Sequence, residues 1–452
     1  MKKMISIVLV LVLLLTLAGC LSGCEREKKP LRILIDAQTV VPESEDHGQL
    51  DDYIKNQMQN LLADAKKHGL EDIELEILPA FDNAKRKSMI TRLRAEILAG
   101  SGPDVFIMKN TSNHDPNVQI QSTPFLEPEK IMDFGLLYPL DEFIESAQFM
   151  EWDKLTQSIM AAGWSERYGQ VILPISYQLP VTYFRKADVP EVPDPMTFDD
   201  MINGDNVLQT AAGAFPYTDD TGDVVIGKLA DYRKRQLVFT EEDLSDTMNK
   251  LLDFKGTDAV SVPDYMFGPS LCYFFAKRSW QFEGTSAERT YIKNLHRASA
   301  ELSDHSNYTD EPVTIIPVYN EDGGVTATVD GYAAMSSTTK RPEDAFLILD
   351  LLLSSYGQKY YGISGDLIGM GMPVYEYVEE EEGYEVRTDW TLIPENLAEF
   401  DRIRDSITQV NFKGTLNYET DLLYQICTQT EESDVDTAIH TSYRRMRQEV
   451  SE

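Results

Sequence analysis

The chain has 452 residues, with 75 acidic against 41 basic side chains and a formal net charge of −34. A protein with so large a negative charge repels nucleic acid and anionic lipid, and a polyanion is therefore the least suitable ligand. Beyond the N-terminal segment only Cys272 and Cys427 remain, too few for a disulfide framework, and they either form one disulfide or stay as buried thiols. The length exceeds what one hydrophobic core usually serves, so we expect two lobes.

The first residues predict an export signal. Lys2 and Lys3 precede an apolar run, Met4–Leu15, which only Ser6 interrupts. A charged start followed by a short apolar core is typical of a secretory signal, and this run is too short to span a bilayer comfortably as a permanent anchor.

After Thr16, the residues Leu17 to Cys20 read LAGC and resemble the lipobox of bacterial lipoproteins, in which a peptidase cleaves before a lipid-modified cysteine. The resemblance implies a signal peptide over residues 1–19 and a lipid-anchored linker over residues 20–30, because two acyl chains on Cys20 give stable anchoring. A similar run ends at Cys24, which is the alternative lipidation site, and a plain signal peptide is a further alternative. The expected location is the outer, extracellular face of the bacterial cytoplasmic membrane.

After the linker, strand and helix patterns alternate. Apolar or alternating runs predict three strands, and apolar residues at helical spacing predict two helices between them. In chain order these are strand Leu31–Ile35, helix Gly48–Gly69, strand Ile73–Leu78, helix Asn83–Ala99 and strand Val105–Met108. This alternation predicts a parallel sheet covered by helices, in the α/β class.

The rest of the chain is less regular. Helices are predicted at Glu241–Phe254, Ser286–Leu302, Pro342–Tyr356 and Asp434–Val450, and strand-like patterning returns near Val313. Pro342 begins its helix, with Glu343 and Asp344 in the first turn, where the helix dipole favours acids. An aromatic-rich loop is predicted between Tyr265 and Phe282.

The common enzyme motifs are missing from the sequence. The six histidines have no metal-ligand spacing, and no serine lies in a nucleophile-elbow pattern. Gly222–Lys228 imitates a phosphate-binding loop, but Leu229 replaces the required Ser or Thr, so we interpret the segment as a turn entering a strand. The sequence therefore predicts no metal site, no cofactor and no catalytic residue.

Four stretches together resemble one family, the extracellular solute-binding proteins of ABC importers, in the large carbohydrate-binding group known as family 1. The stretches are Ala95–Met108 (AEILAGSGPDVFIM), Leu137–Ile144 (LYPLDEFI), Tyr168–Asp188 (YGQVILPISYQLPVTYFRKAD), and Asp330–Tyr361 followed by Met372–Val374. They span most of the chain after Leu31. The middle departs from the family pattern at Phe267–Cys272, where the family's usual glycine, lysine and tryptophan pattern is missing.

The resemblance implies a two-lobed periplasmic-binding-protein-like α/β fold of type II, with discontinuous lobes joined by a hinge. Lobe 1 would comprise residues 31–176 and 313–360, and lobe 2 residues 177–312 and 361–452. A ligand would bind in the cleft between the lobes, near the carboxyl ends of strands, and would stabilise a closed form that docks on a permease.

The resemblance also implies which residues line the cleft. They supply planar hydrogen-bonding groups for sugar hydroxyls and aromatic faces for sugar C–H surfaces. The predicted ligand contacts are Asp36, Gln38, Met108, Lys109, Asn110, Tyr177, Gln178, Trp280 and Tyr332. For each aromatic residue, ordinary core packing is the alternative role, and for Asp36 a core or capping role is favoured.

The expected partners are a small solute, in the first place an oligosaccharide, and the membrane subunits of an ABC permease, and the protein itself is expected to be a monomer. Three alternatives remain open. A surface glycoside hydrolase would need two carboxylates converging in the cleft, one with a raised pKa. A binding protein for a peptide or a polyamine, or a receptor coupled to a sensor, would share the same fold.

Overall fold

The computed structural model describes residues 29–36, 47–79, 84–109, 123–186, 196–214, 224–255, 313–360, 372–375 and 401–452. The strands in these ranges are β1 (Leu31–Asp36), β2 (Ile73–Ile77), β3 (Val105–Lys109), β4 (Trp164–Ser165), β5 (Gly169–Gln170), β6 (Ile172–Gln178), β7 (Val181–Arg185), β8 (Ala230–Asp231), β9 (Gln236–Leu237), β10 (Val313–Pro317), β11 (Val325–Met335), β12 (Met372–Pro373) and β13 (Ile407–Phe412). The helices are α1 (His47–Lys67), α2 (Ala84–Leu98), α3 (Pro128–Met132), α4 (Asp141–Glu145), α5 (Gln157–Met160), α6 (Phe198–Ile202), α7 (Asn206–Ala214), α8 (Glu241–Lys255), α9 (Pro342–Leu352), α10 (Ser355–Tyr360), α11 (Thr415–Gln429) and α12 (Glu432–Ser451).

A seven-stranded mixed sheet forms the centre, in the order β12–β6–β11–β3–β1–β2, with β13 also paired to β11. The side chains of β1 alternate between its two faces. Ile33 and Ile35 pack in the hydrophobic cluster that includes residues of α1, whereas Leu34 packs in the cluster of α2 with Ile90 and Leu93. The predicted parallel β1–β2 and β1–β3 pairs, covered by helices on both faces, are therefore confirmed.

Strand β11 changes partners part of the way along its length. Its residues Val325–Val329 pair in parallel with β13, where Val329 lies opposite Phe412. Its residues Gly331–Met335 pair in the antiparallel sense with β3, where Gly331 lies opposite Lys109. Since β13 runs with β11 and β3 runs against it, the carboxyl ends of β3 and β13 point toward each other near Asp330.

We call β1, β2, β3, β6, β12 and residues 331–335 of β11 the first half of the sheet. The second half comprises β13 and residues 325–330 of β11. Segment 224–232 packs on the second half, because Asn411 donates a 2.8 Å hydrogen bond to the carbonyl of Gly227 and Thr326 donates one of 3.1 Å to that of Val224. Helix α11 follows β13 directly and contacts α12.

Two observations bear on the predicted lobes. Strand β10 pairs with β7 in a separate two-stranded sheet, and the change of partners in β11 falls at Asp330–Gly331, later than the predicted return to lobe 1 at residue 313. The lobe bounds stay a prediction. Within the described ranges, no helix combines the length and the apolar character that crossing a bilayer requires.

Two local predictions were wrong. The helix predicted over Pro342–Tyr356 is divided into α9 and α10. The Ser354 hydroxyl donates to the Leu351 carbonyl at 2.7 Å and accepts from the Gly357 amide at 2.8 Å. These bonds compete with the backbone hydrogen bonds that would continue the helix. The segment after Val224 is not a strand entry. It forms a helical turn, and Gly227 has a φ of +83°, which favours glycine.

Candidate functional site

The candidate site lies where the strand ends of the two halves face each other. Strands β1 and β3 are parallel, and β3 and β6 both run antiparallel to β11, so all three carboxyl ends lie at one edge of the first half. Their last residues are Asp36, Lys109 and Gln178. Ligands of open α/β sheets bind outside such carboxyl ends.

Asp36 is fully buried and paired. Its two carboxylate oxygens accept hydrogen bonds of 2.8 and 2.7 Å from the two terminal nitrogens of Arg86, whose Nη1 also donates to the Pro79 carbonyl at 2.8 Å. Neither side chain is exposed to solvent. Because a buried charge requires a partner, this geometry gives Asp36 the structural role that the sequence analysis favoured.

Four further predicted ligand contacts are also buried: Met108, Lys109, Tyr177 and Tyr332. The ring of Tyr332 packs edge-on against that of Phe412 at the end of β13, with 5.6 Å between centroids. Burial, and secondarily the charge of Asp36, raises the pKa of the Tyr332 hydroxyl far above its usual range. Tyr332 therefore joins the end of β13 to the first half.

Gln178 lies at the point where the chain leaves the first half. Its side-chain amide donates to the Asp330 carboxylate, and both residues are buried. Among the described residues, three buried polar atoms beside this contact have no hydrogen-bond partner. They are Ser176 Oγ, Gln178 Oε1 and Thr328 Oγ1. These groups could serve the hydroxyls of a bound solute, since buried polar atoms are rarely left unpaired.

The remaining predictions lie outside the described residues. They concern the ligand contacts Gln38, Asn110 and Trp280, the lipidation sites Cys20 and Cys24, Cys272, the helix at Ser286–Leu302 and the aromatic-rich loop between Tyr265 and Phe282. Cys427 is described as a free thiol that is buried in α11. The ligand-contact assignments as a set stay a prediction. No group of His, Cys, Asp or Glu in the described ranges is arranged to hold a metal ion.

A cavity of about 360 Å³ opens at the start of α11, which follows the end of β13. Its walls come from α2, α3, α11 and α12, from the segments that flank α3 and from Tyr232, and none of the predicted ligand contacts in the described ranges lines it. The lining residues are Arg94, Pro124, Phe125, Leu126, Glu127, Lys130, Ile131, Phe134, Tyr232, Thr415, Leu416, Glu449 and Glu452. Aromatic rings alternate there with charged groups, a mixture that suits a polar ligand with apolar faces.

Glu127 lies at the centre of the contacts between the two sides of this cavity. It precedes α3, and its Oε2 accepts a 2.7 Å hydrogen bond from the Tyr232 hydroxyl. Its Oε1 accepts from the amide and the hydroxyl of Thr415, the first residue of α11. Burial raises the pKa of the Glu127 carboxyl to about 7, although these hydrogen bonds oppose the shift.

Glu129 lies two residues further on, in α3. Burial raises the pKa of its carboxyl to about 7 as well, and the positive charge of Lys228 opposes the shift. Sequence reasoning missed both glutamates. The Glu-Pro-Glu pattern at residues 127–129 indicates only a helix start, and the partners of Glu127 lie 105 and 288 residues away along the chain.

The sequence matches no family model and no curated protein. Solved structures do match. An extracellular solute-binding protein of family 1 from Alicyclobacillus acidocaldarius superposes with a TM-score of 0.54 at 14% identity, over 94% of this chain and 100% of that chain. A periplasmic oligogalacturonide-binding protein from Yersinia enterocolitica gives a TM-score of 0.52 at 14% identity, over 93% and 98% of the two chains.

A de novo designed esterase gives a similar match, with a TM-score of 0.51 at 14% identity over 94% of this chain and 98% of that chain. At such identities the likeness concerns the fold, and a fold alone does not decide an activity. The chain has the mixed α/β fold of periplasmic solute-binding proteins, which confirms the fold class predicted from the sequence.

Proposed function

We propose that this protein is an extracytoplasmic solute-binding protein that captures a carbohydrate, most suitably an oligosaccharide, between the two halves of its sheet. It is anchored by lipid on Cys20 and delivers the solute to an ABC permease. No bond is made or broken in this function. The solute contacts both halves, stabilises the closed form, and the closed form docks on the membrane subunits.

One observation carries this proposal. The carboxyl ends of β3 and β13 face each other at Asp330, and close to the end of β13 lies a cavity with Glu127 and α3 on one side and Tyr232 and the start of α11 on the other. A solute bound there touches two bodies that are joined by β11 and by the Gln178–Asp330 contact. That arrangement converts binding energy into closure, which a site within one half would not do.

The chemistry of the site supports a carbohydrate as the solute. Sugars need planar hydrogen-bonding groups for hydroxyls and aromatic faces for their C–H surfaces, and the cavity combines Phe125, Phe134 and Tyr232 with charged side chains. The oligogalacturonide-binding neighbour shares this fold. An oligogalacturonide is itself a polyanion, which the net charge of −34 disfavours, so neutral oligosaccharides are the first ligands that we would test.

A glycoside hydrolase is the second candidate, because Glu127, which lines the cavity, and Glu129, two residues further on, both have pKa values of about 7. Raised pKa values of this kind are required of the general acid in glycosidases. However, both oxygens of Glu127 already accept hydrogen bonds from protein donors. Glu127 is thereby occupied in a structural contact, which favours binding over hydrolysis.

The test is a thermal-shift and calorimetric screen of the purified protein against mono- and oligosaccharides, with amino acids, peptides and polyamines as controls. A solute that binds only the folded form raises the melting temperature by mass action. We expect one sugar class to bind and to be recovered chemically unchanged. A cleaved sugar would favour the hydrolase, and a shift with peptide or polyamine alone would contradict the carbohydrate assignment.

A matched pair of variants tests the predicted site. Lys109→Met removes an ammonium group at the end of β3 but keeps an aliphatic side chain. We expect sugar to bind at least about tenfold more weakly, because one charge-assisted hydrogen bond is lost. Lys67→Met makes the same change at an exposed position at the end of α1 and should leave binding unchanged. Wild-type affinity in Lys109→Met would remove Lys109 from the site.

A further inference from the structure

The start of helix α11 is capped by a residue of another element. Its N-cap residue is Gly414, which has no side chain to accept from the exposed amides of the first turn. Glu127 supplies that acceptor for the Thr415 amide. A β-carbon at Gly414 would overlap Glu127 Oε2, so the glycine leaves the space that this carboxylate occupies.

The same carboxylate is therefore held by two donors from the second half of the protein. Tyr232 belongs to the segment that packs on β13, and Thr415 follows β13 directly, whereas Glu127 lies in the connection between β3 and α3. Separation of the two halves would break all of these bonds at once. Closure would restore them.

The charged groups around Glu127 come from every element packed against it. Positive charges are provided by Arg94 of α2, Lys130 of α3 and Lys228 of the segment before β8. Negative charges are provided by Glu129 of α3 and by Glu449 and Glu452 of α12. The negative charges of Glu129 and Glu449 add to the effect of burial on the pKa of Glu127.

We propose that Glu127 is the positioning residue that latches the two halves of the cleft, and that proton uptake at this residue favours the latched, solute-binding form. The proposal rests on the proposed function and adds its regulation. It assigns to Glu127 a role in closure, which Glu127 serves through its contacts with Tyr232 and Thr415.

The sign follows from linkage. The pKa of the Glu127 carboxyl is about 7 in the latched form, because burial disfavours its charge, and an exposed glutamate in an open form returns to its usual value near 4.5. The latched form therefore binds protons more tightly. The stabilisation of the latched form relative to the open form by proton binding grows as the pH falls through 7, and it is absent above pH 8.

The first measurement needs no solute. Small-angle X-ray scattering of the purified protein at pH 6 and pH 8 should give a smaller radius of gyration at pH 6. Glu127→Gln, which mimics the protonated acid, should be equally compact at both pH values. Glu142→Gln makes the same change at an exposed site in α4 and should behave as the wild type.

The second measurement is calorimetric affinity for the sugar that binds best. Wild type should bind about tenfold more tightly at pH 6 than at pH 8, the factor expected for one proton whose pKa lies one unit above the lower pH. Glu127→Gln should lose this dependence. Tyr232→Phe removes one donor but no carboxyl, so it should bind more weakly at both pH values and keep the dependence.

The outcomes separate the two proposals. If no sugar binds but the wild-type radius changes with pH and that of Glu127→Gln does not, the latch stands and the carbohydrate assignment fails. If sugar binds while wild type and Glu127→Gln show the same pH dependence in both measurements, the latch is overturned and the function stands. A loss of folding in Glu127→Gln, seen by circular dichroism, would make Glu127 a purely structural residue and would also overturn the latch.

Discussion

Arg86 and Asp36 form a bidentate ion pair, and neither side chain is exposed to solvent. It joins the last residue of β1 to the first turn of α2, fifty residues away in the chain. Burying two charges is costly, and the cost is met only by this geometry and by the additional bond from Arg86 to Pro79. The pair therefore fixes the end of β1 against α2 while contributing modestly to net stability.

Removal of one partner of this pair should be severe. In Arg86→Met the Asp36 carboxylate stays buried without its cation, so we expect the free energy of unfolding to fall by about 3–5 kcal/mol. Urea denaturation monitored by circular dichroism measures the change. Lys67→Met is the control, because the Lys67–Asp64 pair has an exposed lysine and should contribute less than about 1 kcal/mol. Equal effects in the two variants would contradict the structural role of Arg86.

Gln178→Leu should weaken the junction between the halves. It removes the amide that donates to Asp330 and leaves a buried carboxylate with one hydrogen bond fewer, at a cost of about 1–3 kcal/mol. Urea unfolding measures the stability. Gln157→Leu is the matched control, because Gln157 donates to the Trp152 carbonyl at the surface and its loss should cost less. A neutral Gln178→Leu would show that the contact does not hold the junction.

Gly414→Ala should disturb the latch without straining the backbone. The φ of Gly414 is −145°, which any residue adopts, but the added methyl group would displace the Glu127 carboxylate. We expect weaker sugar binding at pH 6 and a smaller difference between pH 6 and pH 8, measured by calorimetry. In a Glu127→Ala background the methyl group has space, so the same substitution should then have little further effect. Additive effects of the two changes would argue against their contact.

Cys427 should react slowly in the native protein. Burial raises the pKa of its thiol from about 9 to about 11, so the reactive thiolate at pH 8 is about a hundredfold scarcer than for an ordinary cysteine. Labelling with a thiol reagent, followed by mass spectrometry of the Cys427 peptide, measures the rate. Urea should restore fast labelling. Fast labelling without urea would mean that this part of α11 opens readily.

The sequence predicted those parts of the fold whose patterns are local. Helices α1, α2, α8 and α12 and strands β1, β2 and β3 lie within a few residues of their predicted bounds, because apolar spacing reports directly which face is buried. The division between α9 and α10 was missed because it depends on one side chain, Ser354, which competes for backbone hydrogen bonds.

The candidate site was predictable to a smaller extent. The ends of strands mark a site in any α/β sheet, so Asp36, Lys109 and Gln178 could be selected by position. The partners of Asp36 and Gln178, which are Arg86 and Asp330, could not be predicted, because no local pattern relates residues that meet only after folding. Glu127 carries no sequence signal beyond that of a helix start, because its environment depends on Tyr232 and Thr415, which distant segments supply.

The change of partners in β11 has a consequence for any attempt to dissect the protein. One continuous strand supplies backbone hydrogen bonds to β3 on one side of Asp330 and to β13 on the other. If the chain were cut there, each fragment would keep a shortened β11 and would expose unpaired backbone groups at a strand edge, which favours aggregation. Neither half can therefore be expressed as a free-standing module, and the two should unfold in a single cooperative transition.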